Sequence, residues 1–127
     1  MIKSLKQVML YVEKFNDTVE FFTEDLGFVV LDEMELVEGF KSVTIAPSID
    51  NETEIVLFDK KFIKKYSPEV SLETPSLMFN TTDIDKLYTE LKAKEITVSE
   101  LVDMQNFRVF NFSDREGNYF AVSELNQ

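Results

Sequence analysis

The fold of this chain is decided by the stretch Phe-Ser-Asp-Arg-Glu-Gly-Asn-Tyr-Phe-Ala-Val-Ser-Glu at positions 112–124. Two apolar runs of period two flank a polar centre there. Asp114 can accept hydrogen bonds from the backbone that follows it, and Gly117 can adopt a positive φ. The stretch therefore predicts two strands joined by a tight turn, which together form a β-hairpin.

The length and the apolar content predict a single domain, residues 1–127, with one hydrophobic core. Of the 127 residues, 44% are hydrophobic, and the aromatic side chains are twelve Phe and four Tyr. This content is enough for a core and leaves aromatic side chains to line a cavity. Three Gly and three Pro are too few for a low-complexity chain.

The charge of the chain is strongly negative. Thirteen basic and twenty-four acidic side chains give a formal net charge of −11. Such a surface repels phosphate backbones and anionic lipids, so we expect neither nucleic acid nor a membrane as a partner. The acidity indicates either a solvated surface or a negative groove that attracts cationic ligands. We interpret the acidic run at 32–35 as a solvated strand end.

The sequence contains neither cysteine nor histidine. Disulfides, thiolate chemistry, a Ser-His-Asp relay and imidazole-based metal sites are therefore excluded. No apolar run reaches the length of a signal peptide core or of a membrane helix. We expect a soluble, cytoplasmic protein.

The first half of the chain begins with a strand at 7–12 and a helix. The side chains of this strand alternate between an apolar face and a face that mixes polar, thioether and aromatic groups. Asn16 or Asp17 offers an N-cap for the helix, with Glu20 placed as in a capping box, and Gly27 can end it in the left-handed conformation.

Three further strands are predicted at 28–31, 40–46 and 54–58, which gives the order βαβββ for a first module, residues 1–58. The segment 59–75 is irregular and rich in lysine. We interpret it as a linker with a single helical turn, or alternatively as a lid.

The same order starts again after Pro75, so we predict a second module at 76–127 and an internal duplication. A strand at 76–81 precedes a helix that begins at Asp83 or Asp85. The remaining strands of this module are predicted at 96–98, 107–112 and 119–123.

Two motifs resemble those of the vicinal-oxygen-chelate superfamily, which includes glyoxalase I, extradiol dioxygenases and bleomycin-resistance proteins. Residues 21–28, Phe-Phe-Thr-Glu-Asp-Leu-Gly-Phe, resemble its F-Y-x-x-x-L-G-F signature, and residues 114–118 resemble its closing hairpin. The resemblance implies an α+β fold in which two βαβββ modules form a curved eight-stranded cup with helices outside. It also implies a homodimer, with cups formed between modules of two subunits.

The resemblance further implies where a divalent metal would bind. In metal-dependent members, the first and last strands of each module supply one ligand each, usually His, Gln or Glu. These positions fall on Gln7, Val56, Ser76 and Ala121. Only Gln7 could coordinate a metal, so we expect no metal and no other cofactor. In the alternative, displaced ligands such as Glu54 hold a divalent metal.

Strand alternation predicts a ligand-binding wall that is largely apolar with a few polar groups, as small-molecule pockets are. Arg108 lies near the predicted mouth of the cup, where it could clamp a carboxylate or extend to solvent. The candidate ligand-binding residues are Gln7, Met9, Tyr11, Thr44, Glu54, Phe58, Ser76, Met78, Asn80, Phe107, Arg108, Asn111 and Tyr119.

Within the superfamily, the sequence most resembles the metal-free bleomycin-resistance branch. Our first hypothesis is a metal-free protein that binds a small molecule, for example by sequestering a cationic or amphipathic compound. One alternative is a metal-dependent lyase, isomerase or dioxygenase with displaced ligands. Another is a metal-free proton-transfer enzyme that uses Glu54 or Tyr11, and a third is a module that binds a partner protein.

Overall fold

Two stretches of period-two alternation build two sheets, and the computed structural model describes them within residues 1–125. The first half contains β1 (Gln7–Val12), α1 (Phe15–Glu20), a π-helical turn (Phe21–Asp25), β2 (Val29–Glu35), a 3-10 turn (Val37–Gly39), β3 (Lys41–Ala46), β4 (Glu54–Asp59) and α2 (Lys60–Tyr66). The second half contains β5 (Met78–Asn80), α3 (Ile84–Ala93), β6 (Val102–Asp103), β7 (Phe107–Ser113) and β8 (Tyr119–Leu125).

The two sheets have the same topology. Their strand orders are β1-β4-β3-β2 and β5-β8-β7-β6, and in each the first and last strands of the module pair in parallel. The predicted α+β fold with a repeated βαβββ order is confirmed. The chain divides into two compact units, Met1–Thr74 and Pro75–Gln127. Within residues 1–125, no helix is long and apolar enough to cross a membrane.

One face of the first sheet is buried where its central residues are apolar. Leu10, Ile45 and Leu57 are fully buried there, and α1 packs against β4. The π-helical turn widens the helix, with the Leu26 amide donating to the Phe21 carbonyl at 3.2 Å. This geometry buries the consecutive Phe21 and Phe22 together. Gly27 ends the turn at a φ of 74°, as predicted.

The second sheet has an aromatic core. Phe110, Phe112 and Phe120 are buried, and α3 packs against β7 and β8. The Phe112 and Phe120 ring centroids lie 5.7 Å apart, and Tyr88 of α3 meets Phe110 edge-on at 5.0 Å.

The closing hairpin forms around Asp114, which confirms the prediction. One carboxylate oxygen of Asp114 accepts from the amides of Glu116 and Asn118 at 3.1 and 2.8 Å, and the other accepts from the Asn118 side chain at 2.9 Å. Gly117 has a φ of 90°, which the turn requires.

Two predictions for the first half were wrong. The first helix begins at Phe15 with Lys14 as its N-cap, so neither Asn16 nor Asp17 caps it and no capping box forms. The segment 59–75 is not irregular throughout, because α2 occupies its first half. Asp59 caps α2 by accepting from the Lys61 amide at 2.8 Å.

In the second half, Asp83 caps α3 as predicted, accepting from the Lys86 amide at 3.1 Å. No strand forms at 96–98, where Val98 makes only an isolated bridge to Phe112. The two-residue β6 takes the place of that strand. The predicted strand at 76–81 is shorter than expected, since β5 begins at Met78. Residues 126–127 of the predicted second module lie outside the described residues.

Candidate functional site

The site is built on the face of the first sheet that lies opposite the Leu10 and Leu57 side chains, here named the first open face. Strand register places neighbours on the same face, so Met9 lies beside Val56, and Val56 lies beside Thr44. The residues of the first open face are Gln7, Met9, Tyr11, Val29, Asp32, Met34, Ser42, Thr44, Ala46, Glu54, Val56 and Phe58.

An aromatic cluster occupies one end of this face. Tyr11 and Phe58 have ring centroids 6.0 Å apart, and Phe58 stacks on Phe62 of α2 at 6.2 Å with planes 11° apart. Phe62 also contacts Phe40 at 5.5 Å and Tyr66 at 5.1 Å. Phe40, Phe62 and Tyr66 were not among the residues predicted for the site. The spacing of Phe62 and Tyr66, four residues apart, was the available signal for α2.

A polar contact fastens the 3-10 turn to α2. Glu38 adopts a φ of 56°, and both of its carboxylate oxygens accept from Lys65 Nζ at 2.7 Å. The Tyr66 hydroxyl also donates to Glu38. The hydrogen bonds from Lys65 and then Tyr66 lower the pKa of Glu38, and the bond to Glu38 raises the pKa of Tyr66.

Two predicted ligand-binding residues bond to each other at the far end of the face. Gln7 Nε2 donates to Glu54 Oε1 at 3.1 Å, across the parallel pair of β1 and β4. The amide of Gln7 and one oxygen of Glu54 are therefore already engaged.

Two hydroxyl groups at the centre of the face are not engaged. Ser42 and Thr44 are only 6% and 8% exposed, and neither side chain has a hydrogen-bond partner within residues 1–125. No fully enclosed side-chain nitrogen or oxygen in that range lacks a partner, so both hydroxyls must still be reachable from solvent.

A β-bulge decides the direction of Asp32. Val30 pairs with Ile45, but Asp32 pairs with Thr44, so β2 carries one extra residue between them. In a regular strand Asp32 would pair with Val43 and face the buried side. The bulge turns it to the first open face instead. Sequence alternation missed Asp32 because a bulge interrupts the period on which that reasoning depends.

The corresponding face of the second sheet, named the second open face, carries no charged side chain among the paired strand residues. Met78, Asn80, Asn111 and Tyr119 are exposed there. Phe107 lies on this face too, because alternate residues of β7 share a face and Asn111 is one of them. Ser76 precedes β5 and is exposed. The paired residues of the second open face include Met78, Asn80, Val102, Phe107, Val109, Asn111, Ser113, Tyr119, Ala121 and Ser123.

Arg108, one of the predicted ligand-binding residues, already has a partner within the chain. It has the strand parity of the buried Phe110, so it lies on the helix side of β7. Its Nη1 and Nη2 bind the two carboxylate oxygens of Asp85 on α3 at 2.8 and 3.0 Å. This bond lowers the pKa of Asp85 and raises that of Arg108. Of the two alternatives for Arg108, binding a carboxylate or extending to solvent, the guanidinium binds a carboxylate. That carboxylate belongs to the same chain.

The residues at the metal-ligand positions do not fit a divalent ion. Val56 and Ala121 have no donor atoms, and the Gln7 side chain is bonded to Glu54. Among residues 1–125, no three Asp or Glu side chains are grouped so that they could hold a metal. Glu124, whose parity differs from that of Ala121, accepts from the Ile84 amide at 2.7 Å.

Comparison with known proteins agrees with this architecture. The sequence is 29% identical over 118 residues to the uncharacterized protein YurT of Bacillus subtilis strain 168, covering 89% of this chain and 92% of that protein. The crystal structure of TnmS3, an antibiotic binding protein from Streptomyces sp. CB03234, has a TM-score of 0.82 and 22% identity, with 98% of each chain covered.

A lactoylglutathione lyase from Agrobacterium tumefaciens has a TM-score of 0.76 at 18% identity, covering 97% of this chain and 94% of that one. At such identities the two solved structures show the fold alone. The sequence profile of the Glyoxalase/Bleomycin resistance protein/Dioxygenase superfamily matches residues 4–122. The chain therefore belongs to the glyoxalase/bleomycin resistance protein/dioxygenase superfamily.

Proposed function

We propose that this protein binds a small cationic or amphipathic molecule without a metal and holds it unchanged. The observation that carries the proposal is the composition of the first open face. Met9 is 40% exposed beside the half-buried Tyr11 and Phe58, while the hydroxyls of Ser42 and Thr44 lack partners. An apolar wall with a few polar groups that still need partners is typical of a small-molecule site.

The absence of a cofactor is part of the proposal. It is supported by the side chains at the four expected ligand positions, because Val56 and Ala121 offer no donor atom and Gln7 already has a partner. The fold of an antibiotic binding protein from Streptomyces supports a binding role only by analogy, at 22% identity.

We further propose a homodimer. Within the described residues β1 pairs only with β4 and leaves its other edge unpaired, and unpaired edges are commonly covered by association. Light scattering coupled to size-exclusion chromatography tests this; a mass near 15 kDa per particle at micromolar concentration contradicts it.

A thermal-shift panel tests binding. Copper-free bleomycin and other cationic aromatic compounds should raise the melting temperature, since a ligand at 100 times its dissociation constant adds about 2.7 kcal/mol of stability. Tyrosine fluorescence gives a second signal because Tyr11 lies on the face. If no compound of the panel shifts the midpoint or changes the fluorescence, the sequestering role loses its support.

A pair of substitutions locates the site. Met9→Lys places a charged chain on the first open face and should weaken binding of the panel compounds about tenfold or more. Met104→Lys makes the same change at an exposed loop position and should leave binding unchanged. Equal effects of the two changes would place the ligand elsewhere.

The second candidate function is an enzyme of the same superfamily. The observation in its favour is that Glu54 lies on the first open face with one carboxylate oxygen fixed by Gln7, as a general base would be. Metal analysis of the purified protein separates the candidates. Stoichiometric, tightly bound Ni, Zn, Fe or Mn would favour a metal-dependent lyase, isomerase or dioxygenase, whereas a proton-transfer enzyme would lose turnover, but not binding, in Glu54→Gln.

A further inference from the structure

The bulge in β2 creates a local site on the first open face that the sequence did not reveal. Asp32 lies directly opposite Thr44, and Met34 lies directly opposite Ser42. Side chains opposite each other on one face of an antiparallel pair have Cβ atoms about 5 Å apart. The bulge therefore brings a carboxylate next to the two hydroxyls that lack partners.

Asp32 itself is uncommitted. It is exposed, and neither a hydrogen bond nor an ion pair engages its side chain within residues 1–125. The other carboxylate of the face, Glu54, already accepts from Gln7. None of the residues that the register places on this face is Lys or Arg, although the chain has thirteen of them. The face is thus negative and has no basic group to balance it.

The hydroxyls give the second, independent indication of a ligand. Ser42 and Thr44 are more than nine-tenths buried, and their hydroxyls, which make no hydrogen bond within residues 1–125, can still be reached from the open side of the face. Each hydroxyl oxygen can accept from an N–H donor. A group with several N–H donors and a positive charge matches both the hydroxyls and the carboxylate.

We infer that the ligand of the first open face carries a protonated amine, which Asp32 binds as counter-ion while the Thr44 and Ser42 hydroxyls accept from its N–H groups. This inference rests on the proposed binding function and narrows its ligand class. It also means that Asp32 determines the preference of the site for a positively charged over a neutral ligand.

The sheet sets the size of the ligand. From Asp32 on β2, the strand order passes through β3 and β4 to Tyr11 on β1, which is three strand spacings or about 14 Å. Phe58 lies beside Ser42 in register, between these ends. The amine therefore extends from an apolar or aromatic body that lies toward Phe58 and Tyr11.

A pair of probes that differ only in charge tests the inference. Dansylcadaverine has an aromatic body and one primary amine, and its N-acetyl derivative keeps the body but is neutral. Fluorescence titration at pH 7 should show that the wild-type protein binds the amine about tenfold more tightly than the acetyl derivative. Equal affinities for the two probes would overturn the inference and leave the binding function intact.

Matched variants assign the preference to Asp32. Asp32→Asn keeps the shape of the side chain and should abolish the preference for the amine. Glu33→Gln removes the same charge from the next residue, which pairs with Val43 and faces the other side, and should keep the preference. A preference that survives in Asp32→Asn, or disappears in both variants, would contradict a role of this carboxylate.

Thr44→Val gives a test that does not depend on Asp32. It removes a hydroxyl at nearly constant volume and should weaken binding of the amine several-fold, with little change for the acetyl derivative. Melting temperatures confirm that each variant is folded. If neither probe nor copper-free bleomycin binds the wild-type protein, both the inference and the binding function fail.

Discussion

Asp114 holds the closing hairpin together with a single carboxylate. It is 5% exposed and accepts three hydrogen bonds within the turn, two from backbone amides and one from the Asn118 side chain. Hydrogen bonds to a charged group are stronger than neutral ones, and a buried donor that loses its acceptor carries the full desolvation cost.

Replacing this residue should therefore destabilise the protein. We expect Asp114→Ala to lower the free energy of unfolding by at least about 2 kcal/mol, measured by urea denaturation. Asp50→Ala, at an exposed position in the turn between β3 and β4, serves as the control and should change stability by less than about 0.5 kcal/mol. Similar losses in the two variants would show that the carboxylate is not the cause.

Gly117 allows a second prediction in the same turn. Its φ of 90° disfavours residues with a Cβ, although an added Cβ would meet no other atom within 4 Å. Gly117→Ala should lower the free energy of unfolding by about 1 kcal/mol through backbone strain alone. Gly117→Asn should cost less, because asparagine tolerates positive φ better. An alanine variant as stable as the wild type in urea would contradict this.

At the scale of secondary-structure elements, the 3-10 turn and α2 act together through Glu38. Its pKa is lowered in the folded protein from the ordinary value of 4.5, first by the hydrogen bonds from Lys65 and then by that from Tyr66. A carboxyl with a lowered folded pKa stabilises the fold above its unfolded pKa, and this contribution is lost as the pH falls through the folded value.

The lowered pKa of Glu38 predicts how the stability of Glu38→Gln differs from that of the wild type as the pH changes. From pH 7 down to about pH 5, the variant should melt at a lower temperature than the wild type by a constant margin. Below about pH 4.5 the margin should shrink, because protonation of Glu38 removes the same charge from the wild type. Glu35→Gln, on the neighbouring exposed strand end, is the control for removal of a surface charge and should not lower the melting temperature at pH 7 by the same margin. A margin that widens in acid would refute the assignment.

Elements with a regular hydrophobic pattern could be predicted from the sequence. Elements in which that pattern is interrupted could not. The predicted bounds of β1 match the observed ones, and Gly27 ends the first helical segment as expected. Asp32 was missed because the bulge shifts the register of β2. The helix α2 was largely missed because its lysines masked the apolar spacing of Phe62 and Tyr66.

Part of the site was predicted, because strand alternation holds where no bulge interrupts it. Met9, Tyr11 and Thr44 lie on the first open face, as strand alternation indicated. Whether they bind a ligand stays a prediction. Strand parity was not applied to Arg108, which follows Phe107 by one residue, so the two side chains face opposite sides of β7.

At the scale of the whole molecule, the excess of acidic over basic side chains leads us to expect net electrostatic repulsion. The formal charge is −11, and the ion pairs between side chains of residues 1–125 include Lys60 with Glu13, Lys65 with Glu38 and Arg108 with Asp85. Exposed pairs of this kind contribute little each.

Salt should therefore stabilise the protein. Raising sodium chloride from about 10 mM to about 0.5 M shortens the screening length from about 30 Å to a few ångströms and weakens the repulsion among carboxylates. Differential scanning calorimetry at pH 7 should show a rise in the melting temperature. Potassium chloride at the same ionic strengths should give the same rise, and a fall in both salts would mean that ion pairs dominate.

The outer edge of β2 has a consequence for how the protein is handled. Within the described residues this strand pairs only with β3, and it exposes Val29, Val30 and Met34 along with Asp32 and Glu33. Its charges discourage strand-to-strand aggregation at neutral pH. Near the isoelectric point of about 4.4 the net charge vanishes, and the same strand becomes a template for precipitation. Purification and storage well above that pH keep the protein dispersed.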